Sequence, residues 1–379
     1  MPSNRAAWLR AKSVRPLEVK TAPYTPPATN EIVIKNGAIA INPVDWSKQL
    51  VGDLMFSWIK YPFVLGNDLA GEVVEVGSGV TRFKSGDRVL GHALSMDPTV
   101  NKYSEGSFQE YTVVRANMAS PIPATLSYEE ACVLPLALST AACALFQKDT
   151  LALNYPDVSA AARGDSKKTA KEALVIWGGS SSVGCNAIQL ATAAGYEVFT
   201  TASPKNFEFV TRLGAPKVFD YCSKTVIADI LNALEGKKPV GAIAIGNGST
   251  EACIEILSKT NGSKYVARIS FPWPEKTLTL TLGLVGAMMG LMWWNLSIFI
   301  QSKFRGGTAK FVFGSNLHSN EVGEIIYDDF LPGALAQGSF VAAPKPLVVG
   351  KGLEKIQEAM DVHMKGVSAR KVVVSLQFV

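Results

Sequence analysis

The residues best placed to do chemistry lie between Ala173 and Asn206. Gly179, Ser181 and Gly184 occupy the three key positions of a G-x-G-x-x-G spacing, with serine in the second place. Ser180, Ser182 and Val183 fill the rest of the turn. Small residues opening a helix let backbone N–H groups and the positive helix end approach a pyrophosphate. Serine in the second place adds a hydroxyl donor without closing that approach. A structural Gly/Ser turn has the same composition, so the flanks decide. Ala173–Trp177 is an apolar run of the buried-strand kind, Cys185–Ala194 is a helix ended by Gly195, and Tyr196–Ala202 is a second β-rich run. Strand, turn, helix and strand at this spacing form the mononucleotide-binding unit of a Rossmann domain.

The end of the second strand selects the dinucleotide. NAD sites place Asp or Glu there for the ribose 2′-OH, whereas NADP needs neutral or cationic groups. This chain offers Ser203, Lys205 and Asn206, and no carboxylate before Glu208. Serine and asparagine can donate to a 2′-phosphate while lysine supplies charge. Ser203-Pro204 also suits a helix start, and both roles are compatible. The expected cofactor is NADPH.

These residues need a scaffold, and the chain is long enough for two cored domains at 379 residues, 47% apolar and 18% charged. The net charge of +5 is spread without Lys/Arg runs, which argues against nucleic acid. Five cysteines, widely spaced and without a C-x-x-C pair, read as buried free thiols of a reducing compartment. No apolar segment follows Met1–Arg5, so a cytoplasmic location is expected.

Taken in order, the first 135 or so residues are β-rich. Glu31–Ile41, Leu65–Val76 and Asp87–Leu90 read as strands between glycine turns, as in a small β-barrel. Leu126–Phe146 turns helical, and the polar segment Asn154–Glu172 reads as a surface loop. After Ser203, helices at Phe207–Leu213, Val226–Leu234 and Glu251–Leu257 alternate with strands at Lys217–Asp220, Gly241–Ile245, Lys264–Ile269 and Phe311–Gly314. The last part is helical over Glu324–Ala336 and Leu353–Met364 and closes on the strand Lys371–Leu376.

Several blocks in this order resemble the medium-chain dehydrogenase/reductase superfamily. They are Gly66-Asn67-Asp68-Leu69-Ala70-Gly71-Glu72-Val73-Val74-Glu75-Val76-Gly77, Phe83-Lys84-Ser85-Gly86-Asp87-Arg88-Val89, Gly106-Ser107-Phe108-Gln109-Glu110-Tyr111, Leu134–Ala141 and the closing Lys371–Val374. The resemblance spans nearly the whole chain. It implies an α/β protein: a GroES-like β-barrel domain from residues 1–137 and 309–379, with a doubly wound Rossmann domain of parallel strands, 138–308, inserted between them.

Zinc-dependent members carry a cysteine and a histidine where this chain has Asn42 and Asn67, and the segment from His92 to Gln109 lacks the cysteines of a structural zinc site. A neutral amide is a poor zinc ligand beside thiolate or imidazole, so no metal is expected. The similarity then points to the zinc-free branches, quinone oxidoreductases and the trans-acting enoyl reductases of fungal polyketide pathways. It implies an NADPH-dependent reductase of a polarised C=C bond in an apolar enone, enoyl thioester or quinone, in secondary metabolism. Metal-free carbonyl reduction and a redox-silent nucleotide-binding protein are the alternatives. By the same resemblance Asp45, Trp46 and Lys48 lie beside the nicotinamide, Thr140 near ring and substrate, Tyr221 by the 2′-phosphate, and Ser368 and Ala369 against the cofactor. Asp45, Lys48 and Thr140 are the implied catalytic set. Lys48 stands one position later than the lysine of the enoyl reductases, and a solvated loop charge is its other reading.

One stretch fits this family badly. Between Lys276 and Lys303 no residue is charged, and Leu278–Ile300 is long enough to span a bilayer. Its place between two Rossmann strands favours an apolar lobe at the substrate site or a homodimer seam over membrane-surface contact or a spanning helix.

Overall fold

The computed structural model describes residues 2–158, 171–272 and 281–376, with side chains of the helix at 281–304 described from Gly286 onward. Part of the expected loop Asn154–Glu172, and residues 278–280 of the uncharged stretch, lie outside the described residues. The chain forms two compact units, Met1–Ser139 with Ser315–Val379, and Thr140–Gly314.

Strands are numbered along the chain: β1 Asn4–Leu9, β2 Glu18–Ala22, β3 Glu31–Ala40, β4 Phe63–Val64, β5 Asp68–Val76, β6 Arg88–His92, β7 Tyr111–Arg115 and β8 Ala119–Pro121. The second unit holds β9 Glu172–Trp177, β10 Glu197–Ala202, β11 Lys217–Asp220, β12 Lys238–Ala244, β13 Tyr265–Arg268 and β14 Thr308–Phe311. The chain then returns to the first unit with β15 Pro346–Lys351 and β16 Lys371–Ser375.

In the first unit the main sheet runs β15-β16-β3-β5-β6-β8, with β7 also on β3, and β2-β1-β4 form a smaller sheet. β3 is one long central strand. Its first half pairs with β7 and its second half with β16, while β5 lies along the other edge. Glu31–Ala40 is buried at eight of its ten positions, which matches a strand covered on both faces. β16 brings the C-terminal end of the chain beside the start of the helix Pro43–Val51, since Ala40 pairs with Val373. That junction places the polar cluster described below.

The second unit is a six-stranded sheet in the order β11-β10-β9-β12-β13-β14, all parallel. Numbered within the unit this is 3-2-1-4-5-6, the doubly wound Rossmann order, with its switch point at β9 and β12. Val175, Phe199, Ala242, Ile256 and Val266 pack one face of that sheet into a continuous core. The unit ends at Gly314 rather than at residue 308, because β14 pairs in parallel with β13 and extends this sheet.

The helix expected over Leu126–Phe146 is two pieces, Tyr128–Ala131 and Pro135–Phe146. Taken together, Tyr128–Phe146 is long and apolar enough to cross a membrane by composition, but 83% of its most apolar 18-residue window is buried in the protein. Four cysteines are buried as expected; Cys222, in the turn after β11, is exposed.

The uncharged stretch forms the helix Thr281–Phe304 of 24 residues. One side docks on its own sheet. Ile298 is buried in the Rossmann core and Trp294 packs against it. Trp294 Nε1 donates to Glu251 Oε1 at 2.7 Å, Arg268 donates to Asn295 Oδ1 at 2.8 Å, and the Arg268 guanidinium lies 4.4 Å from the Trp294 ring centre. The opposite side is exposed.

Candidate active site

The glycine-serine turn joins β9 to the helix Ser182–Ala193. Gly178 has φ +90°, which an L side chain would strain. Gly184 must be glycine for another reason: a Cβ there would lie 2.3 Å from the Gly178 carbonyl oxygen. That close approach presses helix onto turn. Ser181 caps the helix, its Oγ accepting from the Gly184 N–H at 3.1 Å while donating to the Gly178 carbonyl at 2.7 Å. The serine in the second place is therefore a cap. Helix geometry leaves the Ser182 and Val183 N–H groups without an intrahelical acceptor, and the first turn carries no acidic residue. Such an end fits a pyrophosphate.

β10 and β11 run in parallel register with Ala202 opposite Asp220, so Ser203 and Tyr221 follow side by side at the same end of the sheet. Tyr221 is half exposed and Lys205 is exposed. Asn206 is buried and its amide donates to Ser203 Oγ at 3.1 Å, which orients the hydroxyl. Ser180, Ser203, Lys205 and Tyr221 thus gather around the carboxyl ends of β9, β10 and β11, where this fold takes its ligands.

The first unit holds a second set, fully buried. Lys371, at the start of β16, pairs with Asp68 Oδ2 at 2.8 Å and donates to Asn42 Oδ1. Asn42 Nδ2 donates to the same Asp68 oxygen at 2.8 Å, and the Leu136 N–H donates to Asp68 Oδ1 at 2.6 Å. Asp45 Oδ2 accepts from the Asn42 N–H at 2.7 Å and closes the first turn of the helix Pro43–Val51. Its other oxygen has no partner among the described residues. Burial pushes the Asp45 carboxyl up to about 8; the Asn42 N–H opposes this, the Asp68 charge adds to it and Lys371 opposes it. Asp45 is thus a buried capping acid, protonated at neutral pH.

Lys48 is not a solvated charge. It is fully buried, with Nζ 2.7 Å from Asp53 Oδ1, 3.0 Å from the Phe56 carbonyl and 4.6 Å from the Tyr61 ring centre. Those partners use the ammonium donors and place it as a structural cation rather than a proton donor. Trp46 is half buried and its indole N–H donates to His363 Nδ1 at 3.0 Å. Thr140 is buried close to Gly314, where a Cβ would lie 2.4 Å from the Thr140 hydroxyl. Ala369 adopts φ +49°, an unfavourable conformation for alanine, two residues before Lys371. Ser368 is exposed beside it.

Reading the sequence missed a third group. Buried His92 shares a 2.9 Å hydrogen bond between Nδ1 and Ser139 Oγ, which lies 2.8 Å from the Tyr327 hydroxyl. Tyr327 donates to the Pro135 carbonyl at 3.0 Å. With that proton spent, Ser139 donates to Tyr327 and His92 Nδ1–H donates to Ser139. Nε2 is then a buried acceptor without a partner among the described residues. Burial pulls the imidazole down to about 4, so it is neutral. No spacing in the sequence joins positions 92, 139 and 327.

The donor set does not suit zinc. Asn42 and Asn67 offer amides, Lys371 already holds Asn42 and Asp68, and no group of three His, Cys, Asp or Glu residues able to hold a metal occurs among the described residues.

Comparison with known proteins agrees with this architecture. Residues 28–124 match the alcohol dehydrogenase GroES-like domain. Dehydrogenase pigH of Monascus ruber is 52% identical over 99% of this chain and 100% of its own length. The chain belongs to the medium-chain dehydrogenase/reductase superfamily. Trans-enoyl reductase himH of Aspergillus japonicus is 37% identical over 98% of this chain and 97% of its own. The crystal structure of an alcohol dehydrogenase superfamily protein from Novosphingobium aromaticivorans superposes with a TM-score of 0.72 at 23% identity, covering 99% of this chain and all of that one. The protein is an oxidoreductase of a superfamily that works with a nicotinamide cofactor.

Proposed function

We propose that this protein is a zinc-independent, NADPH-dependent reductase of a polarised C=C bond in an apolar substrate, a free or carrier-bound enone, enoyl thioester or quinone. The observation that carries the reading is the ammonium of Lys371 bonded to Asn42 and Asp68. Asn42 stands where zinc-dependent members of the superfamily keep a cysteine ligand. A cation fixed there repels a divalent metal and removes the Lewis acid that alcohol oxidation uses. Conjugate reduction has no such need. The reduced nicotinamide supplies hydride to the β carbon, and the protein contributes positioning. The name of the himH relative supports reduction of C=C over C=O.

The phosphate end supports the cofactor choice. The Ser182 and Val183 N–H groups would hold the pyrophosphate, and Ser203, Lys205 and Tyr221 the 2′-phosphate.

The test is NADPH oxidation with a panel of enones, quinones and enoyl thioesters, with products resolved by mass and proton NMR. Saturated C–C products are expected; alcohols with the alkene intact would show carbonyl reduction instead, and turnover of nothing would sink the enzymatic reading. Ser203→Asp is expected to weaken NADPH binding about tenfold or more, since it sets a carboxylate against the 2′-phosphate. Wild-type protein that binds NADH as tightly as NADPH contradicts this reading of the strand end. Elemental analysis of chelator-treated protein is expected to find zinc far below stoichiometry with an unchanged melting temperature. Stoichiometric zinc would mean that Lys371 does not guard the site.

A further inference from the structure

The helix Thr281–Phe304 is apolar nearly all round, and its tertiary tethers decide which side is left outside. At about 100° per residue, Trp294, Asn295, Ile298 and Ser302 fall on one side, and Met289, Trp293, Leu296, Ile300 and Phe304 on the other. The first side meets the protein through an indole, an amide and one buried isoleucine. The second side, entirely apolar along its crest, faces outward: Trp293 is 72% and Phe304 89% exposed. Met292 and Phe299 widen it and are themselves more than half exposed. A shallow, open hollow lies on it between Trp293, Trp294, Leu296 and Ile300. An apolar surface of this extent marks an interaction face.

Charge selects the occupant. From residue 277 to residue 320 the sequence has Lys303, Arg305 and Lys310 and no acidic residue. Lys310 pairs with Asp149, but Lys303 and Arg305 are exposed at the end of the helix. The Lys303 ammonium lies 5.9 Å from the Phe299 ring centre, so its stem follows the apolar face while its charge reaches past it. A second copy on this face would meet the apolar crest but leave the exposed Lys303 without a partner of its own, whereas Arg305 also acts on the nearby Glu255 carboxyl. Anionic headgroups above an acyl layer match both features: cations for the phosphates, and Trp, Met and Phe for the interface.

We infer that the outward face of Thr281–Phe304 docks the protein, without spanning, on an anionic lipid bilayer. Trp293 and Phe304 enter the boundary between headgroups and acyl chains, and Lys303 and Arg305 contact phosphates. The inference stands apart from the reaction proposed above, since it uses none of the residues assigned to cofactor or substrate.

Flotation of the full chain with phosphatidylcholine vesicles, with and without phosphatidylserine, tests it. The protein is expected to float with the anionic vesicles. Lys303→Glu with Arg305→Glu, which leaves the apolar face intact, is expected to cut the bound fraction about tenfold or more, as high salt does for wild type. Trp293→Ser with Phe304→Ser is expected to abolish flotation with the melting temperature held. Three outcomes would each overturn the proposal: no flotation by a wild-type monomer, a dimer in solution that Trp293→Ser dissociates and that does not float, or flotation that neither double variant changes.

Discussion

Replacing Lys371 by methionine is expected to cost about 3–5 kcal/mol of folding stability, the range for removing one partner of a buried ion pair. The side chain volumes are similar, so the loss is electrostatic. Asp68, fully buried, would keep only the Asn42 Nδ2 and Leu136 N–H donors for its carboxylate. Asn42 Oδ1 would lose its donor at the same time. The second change, Asp68→Asn in the Lys371→Met background, is expected to recover much of the loss by removing the uncompensated charge. Urea unfolding of the four proteins gives the coupling energy directly. A single-variant cost below about 1 kcal/mol, within the range of an exposed pair, would mean that the cluster is not dry and not the fixed cation described here.

This cluster also shows where the sequence stops being legible. The parallel sheet of the second unit was readable because its strands are short apolar runs divided by helices with clear starts and ends. Ala173–Trp177 and Lys217–Asp220 match observed strands to within a residue. The strands that escaped reading, β1, β2, β4, β7, β8 and β15, are short or mixed in burial. β15 exposes Leu347 and Val348, so no alternation marks it. The cofactor turn could be located, but the role of Ser181 as a cap depends on a hydroxyl direction that residue types do not carry. Lys48 looks the same in sequence whether it serves substrate or ties down Asp53 and the Phe56 carbonyl. Lys371 reaches Asn42 across 329 positions, a pairing set by the antiparallel contact of β16 with β3. The helix Thr281–Phe304 was evident as an apolar stretch, yet a segment apolar all round gives no sign of which side faces inward. Tertiary tethers, Glu251 to Trp294 and Arg268 to Asn295, decide it.

Asp45 is expected to take about 2 kcal/mol from folding stability as pH rises from about 6.5 to about 8.5. Its carboxyl is held up to about 8 by burial, against an ordinary 3.8. Between those values the folded protein keeps a proton that the unfolded chain has released, so each added pH unit costs up to about 1.4 kcal/mol. The histidines oppose this only at the lower end of that range, where the unfolded chain still holds part of their protons. Burial brings His92 and His363 down to about 4 and lowers His318 too, so all three are neutral in the fold above their ordinary 6.5, and the unfolded chain matches them about one pH unit higher. Below 6.5 their effect prevails. The unfolded chain takes up protons that the folded protein refuses, and stability drops toward acid. Asp45, together with Asp328, which burial raises to about 6, opposes that drop and makes the acid limb shallow. The maximum therefore sits near pH 6.5. Asp45→Asn keeps an oxygen for the Asn42 N–H but has no proton to release, so it is expected to flatten the alkaline limb while leaving the acid limb at least as steep. His92→Asn should relax the acid limb and leave the alkaline one alone. Urea unfolding across pH 5 to 9, buffered at constant ionic strength, separates the two. An alkaline slope that survives in Asp45→Asn would place the titrating group elsewhere and leave Asp45 ionised within its helix turn.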